Sequence, residues 1–279
     1  MAGIAFGDPA RAPDLLFLHA TGMNALTYRQ MLEPLGERYH VVALDARGHG
    51  RTQLPERRWF YRSWTRHRDD VIEALEGNFQ GPVTLAGHSM GATTSLLIAG
   101  ARPDLARGLC LIEPVLRADA FARAPGVPAI ARAARRRRAA FASRAEAIAA
   151  LTGRGFFKTF SPEALADYVE DGFVEDEDGV RLACSPSYEA ATFMAQNHDP
   201  WSSLAHTSGP LVVLRAEIGS TCSEDAAQRI ADVRADARVA TLAGATHALP
   251  IERPDRARAA LETTLMMAEG QARFHDIAD

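Results

Sequence analysis

Short apolar runs and longer amphipathic stretches alternate along the first 114 residues. Residues 14–20 carry Leu15, Leu16, Phe17 and Leu18 in succession, as expected of a strand buried on both faces. Polar positions follow, and Asn24 is placed to cap a helix running to about Glu37. Residues 40–44 form a second short apolar run, closed by Asp45, Arg47, Gly48, His49 and Gly50. Beyond a polar, proline-containing loop, Trp64, Val71, Ile72 and Leu75 recur at helical spacing over residues 64–76. Residues 82–86 are strand-like, 92–101 helical, and 107–112 strand-like again. Strand, helix, strand, helix at this spacing predicts an α/β fold, a mostly parallel sheet covered by helices.

Residues 115–208 break that rhythm, with almost no strand-like run and several helix signals. Ser143 and Glu146 form a capping box opening an alanine-rich helix to Leu151. Ser161 and Pro162 cap and start a helix to Glu170, and an acidic turn at 175–179 separates it from a further helix near 187–197. A helical insertion is expected, placed over the carboxyl edge of the sheet. The sheet pattern resumes at 210–215, with a helix at 223–231, a last strand at 238–242, a loop at 243–250 and a final helix from Pro254 to about Met267. The expected organisation is therefore a first part of the sheet core at 1–114, a helical cap at 115–208, and the rest of the core at 209–279.

Within this frame one serine stands out. Ser89 falls where a strand turns into a helix, with Gly87 and Gly91 two residues to either side. So tight a bend tolerates no Cβ at those two positions, and it holds the serine hydroxyl out over the sheet edge. The new helix aims its N-terminal N–H groups at negative charge forming there. Composition narrows the partners. A chain of 279 residues, 47% apolar and 24% charged, is ordinary for a globular enzyme of one large core with an added module. With 31 bases against 35 acids it has no net field for nucleic acid. No run approaches the ~20 apolar residues of a membrane span, and no secretory signal is evident. Cys110, Cys184 and Cys222 are scattered and read as reduced thiols, so a cytoplasmic location is expected. The histidines lack metal-ligand spacing and the glycines lack a dinucleotide-binding turn, so neither metal nor cofactor is expected. Arg132 and the four arginines at 135–138 read as a solvated face pairing with the acidic turn at 176–178, in preference to a membrane or nucleic-acid contact.

Together these residues resemble the α/β-hydrolase family over nearly the whole chain outside the insertion. His19-Ala20-Thr21-Gly22 resembles its oxyanion loop, Asp45-Ala46-Arg47-Gly48-His49-Gly50 its Asp-x-Arg-Gly-His-Gly loop, and Gly87 to Gly91 its nucleophile elbow. His247 lies in a loop ahead of Glu252-Arg253-Pro254, as the family histidine does. The resemblance implies Ser89 as nucleophile, His247 as base, and the N–H groups of Met90 and Thr21 as oxyanion donors. It also implies a pocket beside Met23, His19 and His88, with His19 ordering the oxyanion loop. The acid departs from the family's usual place, where Ser220 stands. Some relatives carry it after the strand that follows the elbow helix, which here is Glu113; Glu217 is the alternative, then Asp225 or no third member. A serine at the elbow implies hydrolysis of a carboxylic ester of a small, partly apolar substrate. Amide or carbon–carbon hydrolysis, cofactor-free perhydrolysis, and a noncatalytic ligand-binding role on the same fold are the competing readings. Phe156, Phe157, Phe160, Tyr168, Tyr188, Phe193 and Met194 of the insertion either line the cleft or form the cap's own core.

Overall fold

In β2 (Leu15–Leu18) successive side chains alternate between two cores: Leu15 and Phe17 join one buried cluster, Leu16 and Leu18 the other. The computed structural model describes residues 1–56, 61–116 and 126–278. Its main sheet is built from β1 (Gly3–Phe6), β2, β3 (Val41–Leu44), β4 (Val83–His88), β5 (Ala106–Ile112), β9 (Leu211–Ala216) and β10 (Arg238–Leu242). Their order is β1-β3-β2-β4-β5-β9-β10, and every neighbouring pair is parallel except the edge pair β1–β3. Strand β1 gives no sequence signal because only half-buried and exposed positions make it up.

Helices cover both faces, as parallel strands require. On one side α1 (Arg29–Leu32) contributes Met31 and Leu32, and α11 (Pro254–Ala278) contributes Ala257, Leu261 and Leu265. On the other lie α2 (Thr65–Asn78), α3 (Met90–Ala101), α8 (Pro200–Ala205) and α9 (Glu224–Val233), through Val71, Leu96, Leu204 and Ile230. Each leucine so buried is worth about 1.5–3 kcal/mol, and the summed effect fixes the strand ends that carry the polar loops. Asn24 does act near a helix start: its Oδ1 accepts the Thr27 N–H at 2.9 Å, but the segment to Glu37 is mostly 3-10 turns around the single turn α1. The final helix runs well past Met267.

Between β5 and β9 stand α4 (Ala129–Arg136), α5 (Arg144–Leu151), α6 (Pro162–Gly172) and α7 (Pro186–Met194). The expectation of an almost strandless insertion needs correction, because β6 (Ala140–Phe141), β7 (Phe173–Asp176) and β8 (Gly179–Leu182) pair as an antiparallel sheet. The acidic turn is the tip of the β7–β8 hairpin, Asp176 facing Gly179. These strands are so short, and so charged on their outer face, that no apolar period betrays them. The caps hold: Ser143 Oγ accepts the Glu146 N–H, and Ser161 Oγ accepts the Ala164 N–H, both at 3.1 Å. The last helix of this stretch, α8, packs on α3 of the sheet layer. Residues 117–125 of the expected cap and 57–60 of the polar loop lie outside the described residues. The arginine run is also paired differently from expectation, Arg138 with Glu146 and Arg137 with Glu189, while Asp176 takes Arg181.

Candidate active site

The β4–α3 corner carries Ser89 with φ 54° and ψ −114°, a positive φ that a non-glycine residue holds only under constraint, at a cost of about 1–3 kcal/mol. The constraint is visible in the neighbouring glycines. A Cβ on Gly91 would lie 2.0 Å from the Leu18 carbonyl oxygen, and one on Gly87 would lie 2.4 Å from the Gly91 carbonyl carbon. Hence the helix start can press against the end of β2, which brings the turn at residues 19–24 beside the serine. Met90 opens α3, so its N–H is one that the helix cannot pair internally. The Thr21 hydroxyl reaches Met90 Sδ at 3.4 Å, joining the two loops.

Ser89 Oγ lies 3.1 Å from His247 Nε2, and His247 Nδ1 lies 2.9 Å from Glu113 Oε2. Glu113 follows β5 with φ 51° and is fully buried. Its carboxylate is surrounded by donors: Oε1 accepts the Ala216 N–H and the Ser220 hydroxyl, each at 2.6 Å, and Oε2 accepts the Thr221 N–H at 3.1 Å. Burial alone would raise its pKa, but the hydrogen bonds from His247, Ser220 and the Ala216 N–H outweigh it and hold the group below the usual carboxylate range. An ionised carboxylate only accepts, so the proton of His247 sits on Nδ1 and Nε2 is bare toward the Ser89 hydroxyl. The alternatives for the acid lie elsewhere: Glu217 is exposed and accepts the Gly244 N–H at 2.8 Å, and Asp225 is exposed in the first turn of α9.

Of the residues expected at the pocket, Met23 is buried in the turn at residues 19–24. His19 and His88 are not available to a ligand, because both ring nitrogens of each are used inside the protein. His19 Nε2 accepts the Ala46 N–H at 2.9 Å and Nδ1 donates to the Ala20 carbonyl at 2.7 Å. His88 lies between the Tyr28 hydroxyl and the His247 carbonyl, each at 2.8 Å. His49 supports the same turn, Nε2 accepting the Gly22 N–H at 3.0 Å. Burial pushes His19 down to about 4 and His49 down to about 3, so both are neutral in the fold. Among the described aromatic residues of the insertion, Phe156 is the one in ring contact with His247, at 6.3 Å, and it is exposed. Phe157, Tyr168 and Tyr188 are buried in packing, and Phe193 sits against α4.

The elements after β5 also reach the turn at residues 19–24. Asn24 Nδ2 donates to the Tyr168 carbonyl at 2.9 Å, and Glu189 lies against Gly22. Arg137 binds both Glu189 oxygens, at 3.0 and 2.8 Å, and the Tyr168 hydroxyl at 2.7 Å. Burial works against its charge, and Tyr168 and Glu189 more than offset that. Ser220, Thr221 and Tyr28 escaped the sequence reading. The sequence signal for the first two is the hydroxyl pair Ser220-Thr221 standing after a buried strand, at the place where a carboxylate is expected.

Among the described residues no cluster of three or more His, Cys, Asp or Glu side chains is placed to hold a metal ion, and no helix is long and apolar enough to cross a membrane. The three cysteines are free and buried. A profile of the alpha/beta hydrolase family matches residues 15–260. The chain is similar to 2-(acetamidomethylene)succinate hydrolase of Mesorhizobium japonicum, 25% identical over 242 residues, covering 86% of this chain and 83% of that protein. Protein phosphatase methylesterase 1 of Mus musculus is 35% identical over 111 residues, a match of 38% of this chain and 28% of the relative. Among solved structures, an E-2-(acetamidomethylene)succinate hydrolase superposes with a TM-score of 0.77 at 24% identity, covering 94% of this chain and 93% of the other.

Proposed function

The chain belongs to the alpha/beta hydrolase family, and on that premise we propose that it is a serine hydrolase cleaving a carboxylic ester of a small, partly apolar substrate through an acyl-enzyme. The observation that carries the reading is the run of contacts Ser89 Oγ to His247 Nε2 at 3.1 Å and His247 Nδ1 to Glu113 at 2.9 Å, placed at a strained corner. In this reading His247 takes the Ser89 proton as Oγ attacks the carbonyl carbon, and Glu113 stabilises the imidazolium that results. The Met90 and Thr21 N–H groups receive the oxyanion, a contribution worth about 2.7–4 kcal/mol per donor in comparable sites. His247 then protonates the leaving alcohol, and water activated by the same imidazole releases the acid. We read the segment between β5 and β9 as a cap over this site, with Phe156 as an apolar wall.

A second reading has its own support. The relative matched over most of its length is named for an acetamido-bearing substrate, which favours an amide or amide-like bond on the same Ser89 chemistry.

The test is steady-state hydrolysis of short- and medium-chain aryl esters and of matching anilides, by the parent protein and by S89A, E113Q and E217Q. Turnover that disappears in S89A and falls steeply in E113Q, with E217Q unaffected, supports the ester reading. Anilide turnover with inert esters moves the assignment to amides. Loss confined to E217Q sinks the role given to Glu113. A folded protein without Ser89-dependent turnover on either series favours the binding-protein reading.

A further inference from the structure

His88 and Tyr28 bridge two loops that the reaction must keep in register. The His247 backbone carbonyl only accepts, so the His88 nitrogen 2.8 Å from it, Nε2, carries the proton. With Nε2 protonated and the ring neutral, Nδ1 is an acceptor, and the Tyr28 hydroxyl 2.8 Å away must donate to it. The phenol oxygen is then free to accept the Ala20 N–H at 3.1 Å. Every proton in this series is thereby assigned: Ala20 N–H to Tyr28, Tyr28 O–H to His88, His88 Nε2–H to the His247 carbonyl. Tyr28 is 1% exposed and His88 0%, so no water competes for these groups. Burial lowers the His88 pKa, which keeps the ring in the one neutral form that the series needs.

The ends of the series are what matter. Ala20 precedes Thr21, the oxyanion donor of the proposed mechanism, and the other end is the backbone of the proposed base. The contacts of His247 with Ser89 and Glu113 orient its imidazole, but they leave the distance from that ring to the Thr21 N–H unset. His88 supplies the missing reference because it immediately precedes Ser89 in the chain, and Tyr28 is itself held by Phe17 of β2 at a ring separation of 4.8 Å. We propose that Tyr28 and His88 are positioning residues, a proton-ordered strut that holds the oxyanion turn and the His247 loop at a fixed separation beneath the nucleophile. The inference rests on the serine hydrolase reading for its functional meaning and on hydrogen-bond chemistry for its form.

The two arms of the imidazole can be removed separately. In H88N the amide oxygen falls near the Nδ1 site and keeps the Tyr28 link, while nothing reaches His247. In H88Q the longer amide reaches the His247 carbonyl and gives up the acceptor for Tyr28. Y28F cuts the strut at its middle with almost no change of volume. Misplacement of reacting groups by about 1 Å costs on the order of a hundredfold. Y28F and H88N are therefore expected to lower kcat by about tenfold to a hundredfold with KM within about twofold, and H88Q to retain more activity than H88N. Labelling of Ser89 by a fluorophosphonate, which needs no ester specificity, should slow in the same order. A purely structural role would instead lower the melting temperature and leave the labelling rate of the folded protein unchanged. The strut is overturned if the parent labels and folded Y28F and H88N label as fast. Nitrogen NMR of the parent gives a reading independent of activity: His88 should be the Nε2–H form and stay uncharged at pH 7 and pH 6, above the range in which acid unfolds the chain. An Nδ1–H or charged ring there overturns the proton order. Should the parent neither label nor turn over any ester, the serine hydrolase reading falls, and the NMR result alone decides whether the strut stands.

Discussion

Acid should unfold this protein through its buried histidines before its carboxylates titrate. His19, His49, His67 and His88 are each nearly or fully buried, and burial lowers the pKa of all four, His19 to about 4 and His49 to about 3. In an unfolded chain each would titrate near 6.5. A folded-state pKa below the unfolded value means that the unfolded chain binds more protons between the two. The stabilisation is therefore complete above about pH 6.5 and is lost as the pH falls toward the folded value. For one histidine with a folded pKa of about 4 or below, the loss between pH 7 and pH 5 comes to about 2 kcal/mol, so His19, His49 and His88 together would cost about 6 kcal/mol, and His67 adds in the same direction. That is comparable to the whole stability of a typical domain, about 5–15 kcal/mol. Asp45 and Asp171, whose carboxyls burial pushes upward, work in the opposite sense and trim the total.

Urea unfolding followed by tryptophan fluorescence at pH 7, 6 and 5 measures this directly. Near pH 5.5 the unfolding free energy should fall by about 1.2 kcal/mol per pH unit for each contributing histidine. H67F isolates one of them. Neither ring nitrogen of His67 has a hydrogen-bond partner among the described residues, so phenylalanine should be tolerated at pH 7 and should flatten the slope by nearly one proton. A stability unchanged from pH 7 to pH 5.5, or an H67F slope equal to the parent's, would refute the reasoning.

Two further outcomes follow from buried charges. S220A removes a 2.6 Å hydrogen bond to an ionised carboxylate and should cost about 1.5–3 kcal/mol at pH 7. Because that penalty comes from a charged acceptor, it should shrink when S220A is made in the E113Q background; an equal penalty in both backgrounds, read by urea midpoints at pH 7, would contradict it. R137M leaves Glu189 buried without its cation and should destabilise the fold by about 3–5 kcal/mol, while R137M with E189Q should recover most of the loss. A double variant no more stable than R137M would mean that the pair is not where the loss arises.

The parts of the fold legible in the sequence are those with an apolar period. Four consecutive apolar residues in β2, and the strand-glycine-serine-glycine-helix order around Ser89, locate the sheet and its corner because nothing else buries such a run. The hairpin β7–β8 is invisible for the converse reason: Phe173, Val180 and Leu182 are its buried positions, while Glu175, Asp176 and Arg181 on the outer side read as a loop. Tyr28 and His88 were hidden differently. A tyrosine in a 3-10 turn and a histidine ending a strand carry no local pattern that tells them they meet, since their hydrogen bond joins positions 60 residues apart. His19 and His88 are consequently expected beside the ligand, whereas the nitrogens of His19 are spent on backbone groups and those of His88 on the Tyr28 hydroxyl and the His247 carbonyl.

The choice between Glu113 and Glu217 turns on cross-strand register, which sequence spacing does not contain. Both glutamates follow a buried strand ending at the carboxyl edge. In the sheet β5 lies next to β9, with Ile112 opposite Leu214, so the Glu113 N–H reaches the Leu214 carbonyl at 2.8 Å and its side chain turns under the loop after β9. Glu217 is one residue beyond β9 on the β10 side, its N–H bonded to the Leu242 carbonyl and its carboxylate to Gly244. The loop after β9 thus still serves the His247 partner, by supplying hydroxyl and amide donors in place of a carboxylate. Ser220, at the place where the family resemblance puts an aspartate, donates to the Glu113 carboxylate that follows the neighbouring strand. The Ser220 hydroxyl lies 2.6 Å from Glu113 Oε1, so a carboxylate at 220 would crowd that of Glu113 and the two could not both stay ionised. Transplanting the acid therefore requires both changes at once: S220D alone should inactivate, and S220D with E113S is the variant in which turnover has a physical route to return.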